Sequence, residues 1–125
     1  MNERTLHVRV GDSADAMLSR ASDTMKALER GETPVPRFEV GFANVGQMFA
    51  VFTPRRWELL ATLREAGAVS IAALARLLGR DYKNVHGDVM ALIEWMLIER
   101  EQDGRVCAPY SEIVIDVRLP ERRAA

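Results

Sequence analysis

The chain has 125 residues, 48% apolar and 28% charged, with a formal net charge of −1 and a pI near 6.1. This suits about one domain with one core, and it carries no global basic signature, so a nucleic-acid partner would have to be met by a local patch of Lys and Arg. The single cysteine, Cys107, rules out an internal disulfide framework, and the absence of a signal core or of a run near the roughly 18 apolar residues of a membrane span sets the expectation of a cytoplasmic protein without membrane contact.

In chain order, "TLHVRVG" alternates Leu6, Val8 and Val10 with His7 and Arg9, which predicts a half-buried strand. "DSADAMLSRASDTMKALERGE" then predicts a helix. Asp12 or Ser13 is placed to cap it, Gly31 to end it, and Met17, Ala21, Met25 and Leu28 form one apolar stripe expected to pack on the protein's own core. "GETPVPR" has the prolines of a linker. "RFEVGF" predicts a second strand, and "NVGQMFAVF" a short helix capped by Asn44.

Three helices follow. "FTPRRWELLATLREAGA" has Thr53 as cap, Pro54 at the first helical position, Trp57, Leu60 and Leu63 as its inward stripe, and Gly67 as its stop. "VSIAALARLLGR" has Ser70 as cap, packing positions at Leu74, Leu77 and Leu78, and Gly79 as its end. "RDYKNVHGDVMALIEWMLIER" is the third, expected over Asp81–Met96 with Asp81 as cap. Asp103-Gly104 in "EQDGRV" suits a type I′ hairpin turn, and "EIVIDVRL" alternates as a strand. Three short helices followed by a hairpin is the order of a winged helix-turn-helix. The expected fold class is therefore α+β, a winged helix-turn-helix with an N-terminal strand-helix extension. Residues 1–36 would form that extension, a dimer or partner surface. Residues 37–119 would form the DNA-binding domain, and residues 120–125 a flexible tail.

At 100° per residue, Val85, Val89, Leu92 and Met96 of the third helix fall in one sector and face the core. Lys83, Gly87 and Met90 point the opposite way, flanked by His86 and Asn84. The first turns of a recognition helix are those that reach base edges. Asn can bond adenine through two atoms, and Lys can donate to guanine O6 and N7. His86 can donate to an acceptor edge or a phosphate, and Tyr82 can reach a phosphate or stack on a sugar. Candidate phosphate contacts are Arg55 and Arg56 at the start of the first helix, Ser70 at a helix N-terminus, Arg76 and Arg80 around the turn, and Arg105 beside the wing. Each has a plain alternative as a cap or a solvated charge. Asp88 reads as a salt-bridge partner, and Cys107 as a small packed residue rather than a thiolate.

The stretches "TPRRWELL", "LARLLGRDYKNVHGDV", "LIER" and "DGRV-x-x-PY-x-EI" resemble a family of small prokaryotic winged-helix predicted transcriptional regulators, distantly similar to MarR-type regulators. Some of that family look like antitoxins of toxin–antitoxin pairs, including the group that accompanies TumE-type toxins. "GRDYKNVH" is the more specific part of the likeness; the remainder is generic winged helix. The sequence departs from the pattern at three places. A basic residue is usual where Gly87 stands, another is frequent at Met90, and Gly is common where Met96 stands. The two missing basic positions imply weaker or differently tuned DNA affinity.

No catalytic constellation stands out. His7 and His86 have no metal-ligand spacing, and "GFANVG" lacks the Gly-Lys-Ser/Thr of a phosphate loop. No enzyme, cofactor or metal is expected. The resulting expectation is a sequence-specific, homodimeric regulator of double-stranded DNA which, as the resemblance implies, represses its own operon as the antitoxin of a toxin–antitoxin pair and has a cognate toxin as a further protein partner. The alternative is a protein-interaction module that uses the winged helix and the N-terminal helix without DNA.

Overall fold

Alternation in "TLHVRV" builds β1 (Thr5–Val10), and β1 is the middle strand of a three-stranded parallel sheet. Its neighbours are β2 (Phe38–Phe42) and β5 (Glu112–Val117). A computed structural model supplies this architecture and describes residues 4–11, 14–33 and 38–119. The Asp12/Ser13 cap, the prolines of the linker and the tail 120–125 lie outside the described residues.

The register puts Leu6, Val8 and Val10 level with Phe38, Val40 and Phe42 on one side and with Ile113, Ile115 and Val117 on the other. Successive side chains alternate between faces, so these nine share one face of the sheet. That face joins the core. Leu6, Val8 and Val10 belong to the same apolar cluster as Met48, Phe52, Leu59, Leu63, Leu74, Val89 and Leu92. Phe42 stacks on Trp95 at 4.5 Å and meets Phe52 edge-on at 5.9 Å. β1 is thus paired on both edges with strands that begin beyond residue 37.

The opposite face of the sheet is polar. Arg9 reaches Glu39 and Asp116, each at 3.3 Å. Over this side runs α1 (Ala14–Glu29), tied by Arg20 to Glu39 at 3.6 Å. Ion pairs offer no apolar bed, and α1 turns its less exposed positions Ala16, Arg20 and Ala27 inward. The stripe expected to pack is instead in solvent: Met17 is 55% exposed, Met25 63% and Leu28 57%, with Leu18 beside them.

The helical part begins with α2 (Val45–Val51), where Asn44 accepts from the Gln47 N–H at 2.8 Å. In α3 (Pro54–Ala66) the Thr53 hydroxyl caps the Arg56 N–H, and Pro54 opens the first turn. Leu60 and Leu63 are buried as expected; Leu59 is too, and Trp57 is half-buried, stacked on Phe52 at 4.8 Å. In α4 (Ile71–Leu78) Ser70 caps the Ala73 N–H. Ile71, Leu74, Ala75 and Leu78 follow i, i+3, i+4, i+7 and pack, whereas Leu77 falls off that stripe and is exposed.

α5 spans Tyr82–Glu94. Val85, Val89 and Leu92 are completely buried. Asp81 stands at the cap position, but its side chain makes no capping bond. The helix also ends before Met96, which is exposed and left-handed at φ +64°. Met96 N–H donates to Ile93 C=O and Leu97 N–H to Leu92 C=O, each at 2.9 Å. That is the two-bond helix ending whose left-handed position glycine usually fills. Met96 therefore leaves the core stripe, because the chain has already turned out of the helix.

Past α5, β3 (Glu99–Arg100) and β4 (Val106–Cys107) pair antiparallel, and Val69 bridges Val106. The hairpin is not closed by a type I′ turn. That turn needs two residues at positive φ, and here only Gly104 has it, at +88°. Gly104 N–H donates to Glu101 C=O at 3.0 Å and Glu101 N–H to Arg105 C=O at 2.8 Å. A three-residue loop with one left-handed glycine results. The expected strand "EIVIDVRL" forms β5, but it pairs with β1 rather than with the hairpin.

Candidate nucleic-acid interface

The α4–α5 connection orients the site. Gly79 adopts φ +64° and ψ +33°, so α4 ends in a left-handed cap with Gly79 N–H on Arg76 C=O and Arg80 N–H on Ala75 C=O. This lets α5 start across α4 within three residues. Because Val85, Val89 and Leu92 anchor α5 inward, its first turn presents Tyr82, Lys83 and Asn84 to solvent, with His86 half-buried beside them. The Tyr82 and His86 rings lie 5.8 Å apart, tilted by 35°. A Cβ added at Gly87 would meet nothing within 4 Å, and Met90 is partly exposed on the same side.

Asn84 does more than face outward. It lines a groove between the N-termini of α3 and α5, together with Thr53, Pro54, Arg55, Arg56, Arg80 and Asp88. Arg55 is exposed there. The fold thus brings Arg55 and Asn84, distant in sequence, to one cleft.

Two of the expected phosphate contacts are otherwise engaged. Arg80 donates to Asp88 Oδ2 at 2.7 Å and Arg56 to Asp88 Oδ1 at 3.1 Å. Arg56 also donates to the carbonyls of Ala50 and Val51 at 3.3 and 2.9 Å. Both side chains are more than four-fifths buried. The Arg80 Nε and Nη1 atoms are buried without a partner among the described residues. These arginines join α2, α3 and α5 through Asp88, the salt-bridge partner expected from sequence, rather than standing out toward a ligand.

Arg105 sits at the hairpin tip with its guanidinium on Asp103 at 2.7 Å and on Glu101 at 3.1 Å. Its charge is offset locally. The Asp103 carboxyl is held below its usual 3.8, first by accepting the Arg105 backbone N–H and then by the Arg105 side chain. Ser70 spends its hydroxyl on its own helix. Arg76 is exposed on α4, one helical turn before the cap. Arg100 was not singled out from the sequence. Its Nη2 lies 3.2 Å from Met90 Sδ, so it supplies a cation beside the outer face of α5. In "LIER" nothing marks it, because the strand that carries it returns past the helix only in three dimensions.

Cys107 is half-buried in β4, and burial pushes its thiol up, with Glu99 adding to the effect. A protonated thiol there suits packing. Among the described residues no group of His, Cys, Asp and Glu is arranged to hold a metal, and no helix is long and apolar enough to cross a membrane.

No curated protein and no solved structure matches the chain. One family model does, over residues 51–115, a span that runs from the end of α2 through α5 and the hairpin into β5 and contains every candidate contact residue named above. The match covers just over half of the chain, and the protein belongs to the HVO_A0114 family.

Proposed function

We propose that the chain is a winged helix-turn-helix protein that binds double-stranded DNA in a sequence-specific way as a homodimeric transcriptional regulator. In this reading α4 and α5 are the helix-turn-helix, the Val69 bridge with β3 and β4 is the wing sheet, and α5 enters the major groove. One observation carries it. α5 is anchored in the core by three fully buried residues while its first turn exposes an aromatic, an ammonium and an amide side by side. Tyr82, Lys83, Asn84 and His86 form the reading edge. Arg55, Arg76 and Arg100 are the phosphate contacts, since these cations are exposed and lie around α5 or at its flanking turn. Two copies would set two such helices about 34 Å apart on successive major grooves.

A gel-shift assay on the chain's own upstream DNA at low salt tests the reading. A shifted band that weakens steeply as salt rises supports it; no shift at about 50 mM salt defeats it, because phosphate contacts are strongest there.

A second reading is favoured by the exposed α1 stripe and the neutralised wing tip. Here the chain is a protein-interaction module, or an antitoxin that grips a toxin through Met17, Leu18, Met25 and Leu28. Its distinguishing result is capture of a protein encoded by the adjacent gene, lost on replacing Met17 and Met25 by Lys.

A further inference from the structure

β5 is an edge strand. It pairs with β1 on one side, and on its other side no strand pairs with it among the described residues. Arg118 N–H donates to Val10 C=O, so the even-numbered residues of this strand turn their backbone groups toward β1. The N–H and C=O groups of Ile113, Ile115 and Val117 must then point out of the open edge, because these groups alternate along a strand. The apolar side chains at this edge are only partly covered: Val114, Ile115 and Val117 are each about 40% exposed, and Leu119 is 83% exposed. An edge of this kind is a template for another strand.

We infer that the occupant is β5 of a second copy, paired antiparallel about Ile115. The charges of the edge favour that register over those centred one residue to either side. With Ile115 opposite itself, Ile113 faces Val117 of the second copy, and the outward backbone groups of both strands meet as matched pairs. Each such pair exchanges two bonds, giving about six in all. On the other face of the sheet Glu112 then stands opposite Arg118 of the second copy, an opposite-charge pair made twice by the symmetry. Shifting the centre to Val114 sets Glu112 against Asp116, and shifting it to Asp116 sets Asp116 against itself. Both place like charges opposite each other, which destabilises a cross-strand pair. A shift by a single residue step turns the core face of one copy toward the outer face of the other.

The consequence is a six-stranded sheet, β2-β1-β5 followed by its symmetry mate. Its two-fold axis stands perpendicular to the sheet, so both core faces lie on the same side. The two α3–α5 units, which pack on that face, are thereby presented together. This interface rests on the homodimer part of the reading above and not on DNA contact.

The test is sedimentation of the whole protein across a concentration series. The expected species at tens of micromolar has twice the 14.0 kDa of one chain. Glu112→Arg and Arg118→Glu alone each weaken the dimer by roughly tenfold, and the two together return it close to the starting constant. Arg118 also meets Asp116 of its own strand at 3.2 Å, and loss of that contact cannot produce the rescue. Circular dichroism melts of the single variants show that they are folded. A monomer at about 100 µM, near the millimolar-to-micromolar limit of weak association, overturns the inference, and so does a dimer whose strength ignores the charge reversals. A monomer that still shifts DNA removes this interface and leaves the DNA reading standing; a rescued dimer that never shifts DNA does the reverse.

Discussion

The Asp88 carboxylate accepts from Arg80 at 2.7 Å, inside the turn that aims α5, and with its other oxygen it holds Arg56 of α3. Each side chain keeps less than a fifth of its surface in water. Removing one partner of such a cluster strands the others. Asp88→Ala is expected to cost about 2 kcal/mol in urea unfolding, below the roughly 3–5 of a fully buried pair because some solvent remains. A loss under about 0.5 kcal/mol, the scale of an exposed pair, would show that the cluster does not hold the helices.

Arg80→Ala and Arg76→Ala should then differ in kind. The first lowers stability and, on the DNA reading, changes the salt slope of binding per folded molecule little. The second leaves stability near wild type and reduces that slope by about 1, the signature of one phosphate contact. Paired melts and shift titrations at several salt concentrations read both quantities.

On the DNA reading, Asn84→Ala relaxes base preference at one position of the site, with a loss of about 1–3 kcal/mol confined to the preferred sequence. A selection experiment on randomised duplexes reads the change. Equal losses on every sequence would reassign Asn84 to the backbone.

Gly87 sits mid-helix with open space where a Cβ would be. Gly87→Lys should raise stability by about 0.7 kcal/mol through helix propensity. On the DNA reading it also steepens the salt slope by about 1, since a cation is added to the outer face. Unchanged binding together with the raised stability would mean that this face does not meet DNA.

Met96 carries a side chain at φ +64°, where a Cβ crowds the following carbonyl at a cost of about 1–2 kcal/mol. Glycine relieves that but adds unfolded-state freedom worth roughly 0.5–1. Met96→Gly is therefore expected to stabilise by about 0.5–1 kcal/mol, checked by thermal melts.

At the hairpin tip the Asp103 carboxyl is held low, chiefly by the Arg105 backbone N–H. A carboxyl with a depressed folded value stabilises the hairpin above its ordinary 3.8, and that contribution disappears as pH falls through the lower folded value. NMR titration should show Asp103 protonating below 3.8. Arg105→Ala should leave much of the depression in place, because the backbone bond survives. A return to the ordinary value would make the guanidinium the main cause.

The local punctuation of this protein was legible in the sequence. Asn44, Thr53, Ser70, Gly31, Gly67 and Gly79 mark helix ends where the helices do begin and stop, because caps depend on residues a few positions apart. Val85, Val89 and Leu92 fell on the core side of α5 from periodicity alone. What periodicity could not reach was the identity of the partner surface. The α1 stripe has the spacing of a packed face, yet it meets solvent, because the sheet beneath α1 turns out to present ion pairs. Arg56 and Arg80 read as cations for phosphate until the fold sets Asp88 between them. The pairing of β1 with β5, more than 100 residues later, was likewise decided only in three dimensions. Strand alternation states which face is apolar and is silent about which strand lies alongside, so tertiary contacts alone chose the neighbours.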